Sequence, residues 1–194
     1  MGGNEEGLPK SNKFRKYFLG GDFLIFVTVG THEQPFDRLV EYMDNMKRNQ
    51  LLTEEVVIQT GYSMYEPQYC VWQKLFPYQK MIQLVDKARI VITHGGPSSF
   101  IMPLQMGKIP IVVPRQKLYH EHINDHQVNF TQEVAKRTGN IIAVVDINEL
   151  GQVIFDYDRI TRNMKNGKQS NNAKFNTELE NIVNQMFKGK MKNG

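Results

Sequence analysis

The fold of this chain is decided by residues 90–114, which read IVITHGGPSSFIMPLQMGKIPIVVP. Short apolar runs rich in β-branched residues, at 90–92 and 109–113, predict two buried strands. Residues 98–106 lie between them and predict a helix that begins after a pair of glycines. Strand, turn, helix and strand in this order form the unit of a parallel sheet that is covered by helices.

The same alternation continues on both sides of this stretch. Further strands are predicted at 24–29, 56–58 and 141–145, and further helices at 36–46, 81–85, 124–136 and 175–186. Because parallel crossovers are right-handed, this order predicts an α/β fold with a doubly wound, mostly parallel Rossmann-like sheet. Such a sheet binds ligands at the carboxyl ends of its strands, so the residues after each strand are the candidates for a site.

Length and composition fit one domain with extensions. The chain has 194 residues, of which 40% are hydrophobic and 23% charged, and this is enough for one hydrophobic core. We predict an N-terminal extension at 1–22, a Rossmann-like domain at 23–187 and a basic C-terminal tail at 188–194. Within the extension, a basic and aromatic run at 13–19 is compatible with a membrane contact, a partner contact or a disordered leader.

The net charge of +4 is unevenly distributed along the chain. Residues 24–158 carry 12 Lys and Arg against 15 Asp and Glu, whereas residues 159–194 carry eight against two. A nucleic-acid-binding domain more often has a basic face on its folded body, so this distribution disfavours nucleic acid as a partner. A basic end suits an anionic membrane surface, although a solvated tail explains the same counts.

Several features are typical of a cytoplasmic protein. Cys70 is the single cysteine, which excludes an internal disulfide and a multi-thiolate metal site. The apolar runs are far shorter than the roughly 20 residues of a membrane span. Glu5 and Glu6 stand where a secretory signal would be basic or apolar. We therefore expect a cytoplasmic location.

The glycine turn after the strand at 90–92 is a candidate anion site. Adjacent glycines permit unusual backbone conformations, and a proline followed by serines suits a first helical turn. Free N–H groups and the helix dipole would favour a phosphate there. An ordinary tight turn with a serine cap is the alternative. Neither a Walker A motif nor Gly-x-Gly-x-x-Gly occurs, which disfavours an ATPase or a nicotinamide enzyme. The residues of this turn are His94, Gly95, Gly96, Pro97, Ser98 and Ser99.

A second polar cluster follows the strand at 109–113. Its amides and imidazoles offer donors and acceptors for a base, a ribose or a sugar. The alternative is a helix start capped by Asn124 or Asp125. His122 and His126 share a helix spacing suited to a metal, but no third ligand is evident beyond Glu121 or Asp125, so we expect no metal site. The cluster comprises Arg115, Gln116, Lys117 and residues 121–127.

Two further groups of polar residues were weighed. Gly30, Thr31, His32 and Glu33 follow the first strand. There His32 is a candidate general base, with Glu33 to orient it or to bind substrate, and a structural role in the loop is equally open. The Asp-x-Asp pattern at 156–158 falls in a predicted helix, and we interpret it as a solvated surface pair.

Together these segments resemble the nucleotide-sugar-binding C-terminal half of GT-B glycosyltransferases of the family 28 type. The resemblance extends from about residue 24 to residue 150. Within that family the chain looks most like the short catalytic subunits of bacterial capsular and exopolysaccharide glycosyltransferases. The matching features are FVTVGT at 26–31, the glycine turn at 94–96 with its serines, Gly107-Lys108 before the strand that ends at Pro114, and NDHQ at 124–127.

The resemblance implies a role for each candidate residue. Gly95, Gly96, Ser98 and Ser99 would hold the diphosphate beside His94, and Asn124, Asp125, His126 and Gln127 would contact the donor sugar or the nearby phosphate. Gly30 and Thr31 would line the cleft, and Arg115 and Gln116 would face the nucleotide. In one respect the chain departs from the family, because Met102 stands where larger members usually have a glutamate that binds the ribose. Ribose recognition must therefore differ.

The implied function is that of a hexosyltransferase subunit. It would transfer a sugar, galactose in the most concrete version, from a UDP-sugar to a lipid-linked saccharide with inversion, and it would need no cofactor or metal. A membrane-associated partner subunit would supply the acceptor-side Rossmann domain and hold the chain at the inner face of the cell membrane. The alternatives are a noncatalytic nucleotide-sugar-binding partner of another chain and an epimerase of similar fold. Homo-oligomer formation is a further expectation.

Overall fold

The computed structural model describes residues 24–166, which form one parallel sheet. The predicted extension at 1–22, the helix at 175–186 and the tail at 188–194 lie outside the described residues. The strands are β1 (Leu24–Thr28), β2 (Glu55–Gln59), β3 (Val71–Gln73), β4 (Ile90–His94), β5 (Ile111–Val113) and β6 (Ile142–Ala143). Their spatial order is β3-β2-β1-β4-β5-β6, and every pair is parallel. The predicted doubly wound sheet is therefore confirmed.

Six α-helices within the described residues connect and flank these strands. They are α1 (Asp37–Arg48), α2 (Tyr78–Lys87), α3 (Pro97–Gln105), α4 (His126–Thr138), α5 (Leu150–Phe155) and α6 (Tyr157–Asn166). Among residues 24–166, no helix has the length and apolarity to span a membrane.

The helices cover both faces of the sheet, because alternate residues of each strand are buried on opposite sides. Ile25 and Val27 pack with α1, α5 and α6 in one cluster. Phe26 packs on the other side with Leu84 and Val85 of α2. A smaller cluster joins Phe100 of α3 to α4 above β5. All five residues of β1 are buried, as a central strand covered on both faces requires.

Strand β3 was not predicted from the sequence. It lies in a segment rich in Tyr, Pro and Gln, and its three residues are too few to show a strand period. Its backbone pairs with β2, Val57 lying opposite Val71. The pairing follows from how the preceding loop is held, which the local pattern does not reveal.

The Asp44 carboxylate of α1 holds that loop. It accepts hydrogen bonds from the backbone N–H groups of Gln68 at 2.9 Å, Tyr69 at 2.8 Å and Cys70 at 2.9 Å, and from the Tyr65 hydroxyl at 2.9 Å. Its residue exposure is only 1%. One buried charge thus satisfies three backbone donors and places the chain at the start of β3.

We expect Asp44→Ala to destabilise the fold by about 3–5 kcal/mol, because it leaves three backbone donors unpaired. Burial raises the pKa of Asp44, but the hydrogen bonds lower it more, so the net pKa lies below the ordinary value of 3.8. A lowered folded-state pKa means that this stabilisation is present above about pH 4 and is lost as the pH falls below it. Urea unfolding at pH 7 and pH 3 measures both effects.

Asp86→Ala is the matched control for this experiment, since Asp86 is an exposed carboxylate on α2. We expect it to change the free energy of unfolding by less than about 0.5 kcal/mol. If Asp44→Ala behaves like this control, the loop before β3 is held by other contacts.

Candidate functional site

A cleft opens at the carboxyl ends of β1, β2 and β4, where the strand order reverses between β1 and β4. In doubly wound sheets this switch point is the usual place for a ligand. The volume of the cleft is about 800 Å³, which is within the usual range for small-molecule sites. Its lining consists of Thr28, Gly30, Thr31, His32, Glu33, Gln59, Tyr78, Met81, Val85, Val91, His94, Ser98, Ser99 and Met102.

The cleft has a polar side and an apolar side. The polar side, called the polar edge below, has hydroxyl, imidazole and carboxylate groups. They come from the loop after β1, the end of β4 and the start of α3. Met81 and Val85 of α2, together with Val91 and Met102, supply the apolar wall. This division suits a ligand with one charged and one flatter, less polar part.

The floor of the cleft is fixed by a short hydrogen-bond chain. The Gln59 side chain donates to the Thr28 hydroxyl at 3.1 Å and accepts from the Phe76 N–H at 2.9 Å. The Thr28 hydroxyl also accepts from the Gly30 N–H at 3.3 Å. The backbone at the start of the β1 loop is therefore tied to the sheet rather than free to move with a ligand.

The imidazole of His94 sits between two glycines. A Cβ atom added at Gly30 or at Gly96 would collide with the ring, and Gly30 has in addition a φ of +76°, which favours glycine. The His94 Nδ1 atom accepts from the Gly96 N–H at 3.0 Å. Burial lowers the pKa of His94 to about 4, with the Arg115 charge as a second cause. The ring is therefore neutral at neutral pH and carries its proton on Nε2.

The start of α3 offers fewer N–H donors than the sequence analysis expects. The Gly96 N–H donates to His94, and the Ser99 N–H donates to the Gly96 carbonyl at 3.1 Å. The residue between Gly96 and Ser98 is proline, which has no N–H. The Ser99 hydroxyl lies 2.6 Å from the Gly96 carbonyl, to which it donates. Ser98 is exposed at the cleft, so its backbone and hydroxyl are the best placed groups of this turn for a ligand.

The Arg115 side chain lies behind the cleft and does not line it, which differs from the expectation that it faces the nucleotide. It is fully buried. Its guanidinium donates to the carbonyls of Val29 at 2.9 Å, Gln34 at 2.7 Å, Pro35 at 3.1 Å and Glu121 at 3.2 Å. Burial lowers the pKa of Arg115 to about 10, so it remains a cation at neutral pH. Its position makes it a bridge between the loops after β1 and β5.

Glu121 completes this bridge. Its carboxylate accepts from Arg38 at 2.8 and 2.9 Å and from the Gln116 N–H at 3.0 Å. A carboxylate held in this way is already neutralised and is not free to join His122 and His126 around a metal. Within residues 24–166, no group of three or more His, Cys, Asp or Glu has an arrangement that could hold a metal ion.

The remaining candidates of the second polar cluster lie at the same edge of the sheet but outside the cleft lining. The Gln116 side chain donates to the Val145 carbonyl at 2.7 Å. The Asn124 side chain accepts from the His126 N–H, the first of α4, at 3.1 Å. Asp125 is the N-cap residue of α4 but makes no capping bond with its side chain, which accepts from the Lys117 N–H at 2.8 Å instead. It stays a prediction that Gln116 faces the nucleotide and that residues 124–126 contact the donor sugar or the nearby phosphate.

Gln127 and Gly95 lie directly behind His94. The Gln127 side chain accepts from the backbone N–H of Arg115 at 3.2 Å and is also hydrogen-bonded to His94. A Cβ atom added at Gly95 would lie 3.0 Å from the Gln127 Cβ and 2.8 Å from the Thr131 hydroxyl. Gly95 is therefore needed for the close approach of β4 to α4, and its contact with phosphate also stays a prediction.

The apolar wall was not assigned to a site by the sequence analysis. Its residues have the spacing of ordinary core positions, and only the crossover between β1 and β4 exposes them to a cleft. The sequence feature that could have indicated them is the predicted order of the elements, which places α2 and α3 on either side of the switch point where ligands bind. These residues are Met81, Val85 and Val91. Met102 is the exception in the wall, because the resemblance placed it at the position of the ribose-binding glutamate.

The model of the glycosyltransferase family 28 C-terminal domain matches residues 24–186. This range contains the complete sheet and every residue that lines the cleft. No curated protein sequence matches the chain.

A solved glycosyltransferase structure shows the same fold. The glycotransferase of kitacinnamycin aligns with a TM-score of 0.51 and 15% sequence identity, over 94% of this chain and 43% of that one. The glycosyltransferase SnogD from Streptomyces nogalater aligns with a TM-score of 0.45 and 17% identity, over 64% of this chain and 31% of that one. The chain thus spans less than half of the length of either protein.

Proposed function

This chain belongs to the glycosyltransferase family 28 C-terminal domain family, and from that premise we propose that it binds the sugar-nucleotide donor in a glycosyl transfer reaction. In the full proposal it is the catalytic subunit of a two-chain inverting enzyme. It transfers a hexose, with galactose as the first to test, from a UDP-sugar to a lipid-linked saccharide of capsule or exopolysaccharide synthesis.

The observation that carries this proposal is the cleft at the switch point. Its polar edge has the size and the donors to bind a diphosphate, with Thr31, Ser98 and the neutral His94 around it. Its apolar wall is suited to the face of a nucleobase. The first turn of α3 adds the positive end of a helix dipole.

The chemistry requires a base for the acceptor hydroxyl. The hydroxyl oxygen attacks the anomeric carbon as the bond from that carbon to the diphosphate breaks, which inverts the configuration and releases UDP. His32 lies at the cleft, and partial burial, with Arg115 and His122 nearby, lowers its pKa below 6.5. A neutral imidazole at this place can accept the hydroxyl proton on Nδ1 at neutral pH, in exchange for the 3.2 Å contact from the Gln34 N–H. Glu33 is the adjacent carboxylate that would orient the ring.

Met102 lines the cleft at the position where larger family members usually have a ribose-binding glutamate. A thioether packs against a sugar or base but is only a weak acceptor. We therefore propose that the ribose hydroxyls are bound by other groups.

The acceptor side of the reaction belongs to a partner in this proposal. A membrane-associated subunit supplies the second Rossmann domain and the lipid-linked saccharide, and it holds this chain at the cytoplasmic face of the membrane. The chain aligns with only 43% of the solved glycotransferase of kitacinnamycin, and in this proposal the partner supplies the other part. Co-purification with such a subunit tests the two-chain arrangement.

Calorimetric titration with UDP, with and without EDTA, tests donor binding. We expect metal-independent binding by the wild type and a loss of roughly 30-fold or more in Ser98→Asp, because a carboxylate would face the diphosphate. An aspartate in the first turn of α3 favours the helix, so the fold should be retained.

Gln105→Asp is the control, since it adds the same charge at the far end of α3 on an exposed position. We expect UDP binding there to stay within about twofold of the wild type. The absence of UDP binding in the wild type would contradict the proposal, and equal losses in both variants would place the site elsewhere.

A further inference from the structure

Three histidines at the carboxyl edge share one local arrangement. The Nδ1 atom of each accepts the backbone N–H two residues further along the chain. The bond is 3.2 Å from Gln34 to His32, 3.0 Å from Gly96 to His94 and 3.4 Å from Asn124 to His122. Each neutral ring therefore carries its proton on Nε2. In His32 and His122 this N–H can donate to a ligand, whereas the His94 ring is also hydrogen-bonded to Gln127.

His122 brings the loop after β5 to the loop after β1. Its ring centroid lies 5.1 Å from that of His32, with 40° between the planes. Since His32 lines the cleft, an anion held at the edge of the cleft by His32 is also within reach of the His122 ring. In the sequence analysis His122 belongs to the second polar cluster and is considered as a metal ligand, but it is not assigned to donor binding.

The charges around this pair are mostly positive. The charge of Arg115 lowers the pKa of both His32 and His94, and so does the proximity of His122. The Glu33 carboxylate has the opposite effect and raises the pKa of His32. Glu121, next to His122 in the chain, forms an ion pair with Arg38. None of the ion pairs within residues 24–166 includes a histidine. A group of imidazoles beside a buried cation, with so little opposing charge, is suited to an anionic ligand.

We propose that His122 binds the diphosphate of the donor as an imidazolium and takes up a proton from solvent when the diphosphate enters, while His32 stays neutral. This inference rests on the proposed function and adds a binding residue to the same site. The proton goes to Nδ1 of His122 and displaces the contact with the Asn124 N–H.

The geometry indicates why the proton goes to His122. Its contact at 3.4 Å is the longest of the three, so protonation there costs the least in hydrogen bonding. Burial and Arg115 lower the pKa of His32 and of His94, which keeps those two rings neutral.

The chain has five histidines, so NMR of their ring Cε1–H groups resolves each one, with assignments from single substitutions. We expect addition of UDP or inorganic pyrophosphate near pH 7 to move the His122 resonance to the imidazolium position, with His32 and His94 remaining neutral. Calorimetry of UDP binding in buffers of different ionisation enthalpy should show uptake of about one proton. UDP itself is nearly fully ionised above about pH 7, because its last pKa is about 6.

Affinity measurements complete the test. We expect UDP to bind about 30-fold more weakly at pH 8.5 than at pH 7, which is the change that uptake of one proton gives over this range. His122→Gln should remove most of this dependence. His120→Asn is the matched control on the same loop, since His120 has a φ of +57°, which asparagine tolerates, and it should behave as the wild type.

The outcomes separate this inference from the proposed function. If UDP binds without proton uptake, or if His122→Gln keeps the pH dependence of the wild type, the role of His122 is overturned and donor binding stands. A response of His122 to pyrophosphate without UDP binding would support the anion site and contradict the nucleotide. No response to either ligand overturns both.

Discussion

Gly96→Ala is expected to weaken UDP binding at least 100-fold. Gly96 has a φ of −75°, which alanine adopts without strain, so the backbone itself tolerates the change. The added methyl group would instead collide with the His94 ring. The imidazole would have to leave its place between Gly30 and Gly96, and a displacement of about 1 Å in a site of this kind costs roughly 100-fold.

A double-mutant cycle with His94→Ala tests this cause. We expect Gly96→Ala to cost about 2 kcal/mol of stability in the wild type, the usual scale for overpacking, and less than about 0.5 kcal/mol once the ring has been removed. Urea unfolding of the four proteins measures the coupling, and calorimetry with UDP measures binding. Equal costs in both backgrounds would show that the collision with His94 is not the cause.

Arg115→Met is expected to destabilise the fold by about 3–5 kcal/mol, because it leaves buried carbonyl groups of two loops without a donor. The guanidinium is bonded to carbonyls of the loop after β1 and to the Glu121 carbonyl. Because methionine fills a similar volume, the loss of stability would measure the missing hydrogen bonds and not the creation of a cavity. For a chain of this size the melting temperature should fall by about 10 °C or more.

Arg159→Met is the matched control. The Arg159 side chain is 68% exposed and pairs with Asp156, and exposed ion pairs contribute little to stability. A similar small change in Arg115→Met would mean that the loops after β1 and β5 are held without the guanidinium. Arg115→Lys is informative as well, because an ammonium has three donors and no planar fork, and we expect it to recover only part of the loss.

The sheet could be predicted from the sequence because each central strand carries its own signal. The runs at 24–29, 56–58 and 90–92 are apolar apart from Thr28, and this pattern depends only on burial on both faces. The glycine turn at 94–96 was found for a similar reason, since adjacent glycines before a proline are a local marker. The position of β3 depends on the hydrogen bond from the Cys70 N–H to Asp44, which lies 26 residues earlier in the chain. No local sequence pattern reveals such a contact.

The candidate site was predicted in part for the same physical reason. Gly30, His32, His94 and Ser98 lie at the end of a strand or within four residues after it, and parallel strands bring their carboxyl ends to one edge. Arg115 also follows a strand, yet its side chain turns inward and bridges two loops. Whether a cation at this edge faces a ligand or a set of carbonyls depends on loops that approach from elsewhere in the chain.

The sequence by itself determined the parallel sheet, the edge at which polar residues gather and the glycine turn, because periodicity and turn chemistry act over a few residues. Only the tertiary structure decided that His94 is enclosed between Gly30 and Gly96, that Glu121 neutralises Arg38, and that His122 meets His32. These contacts join segments up to 90 residues apart in the chain. They depend on packing, where burial and charge come from distant neighbours, and no local pattern encodes them.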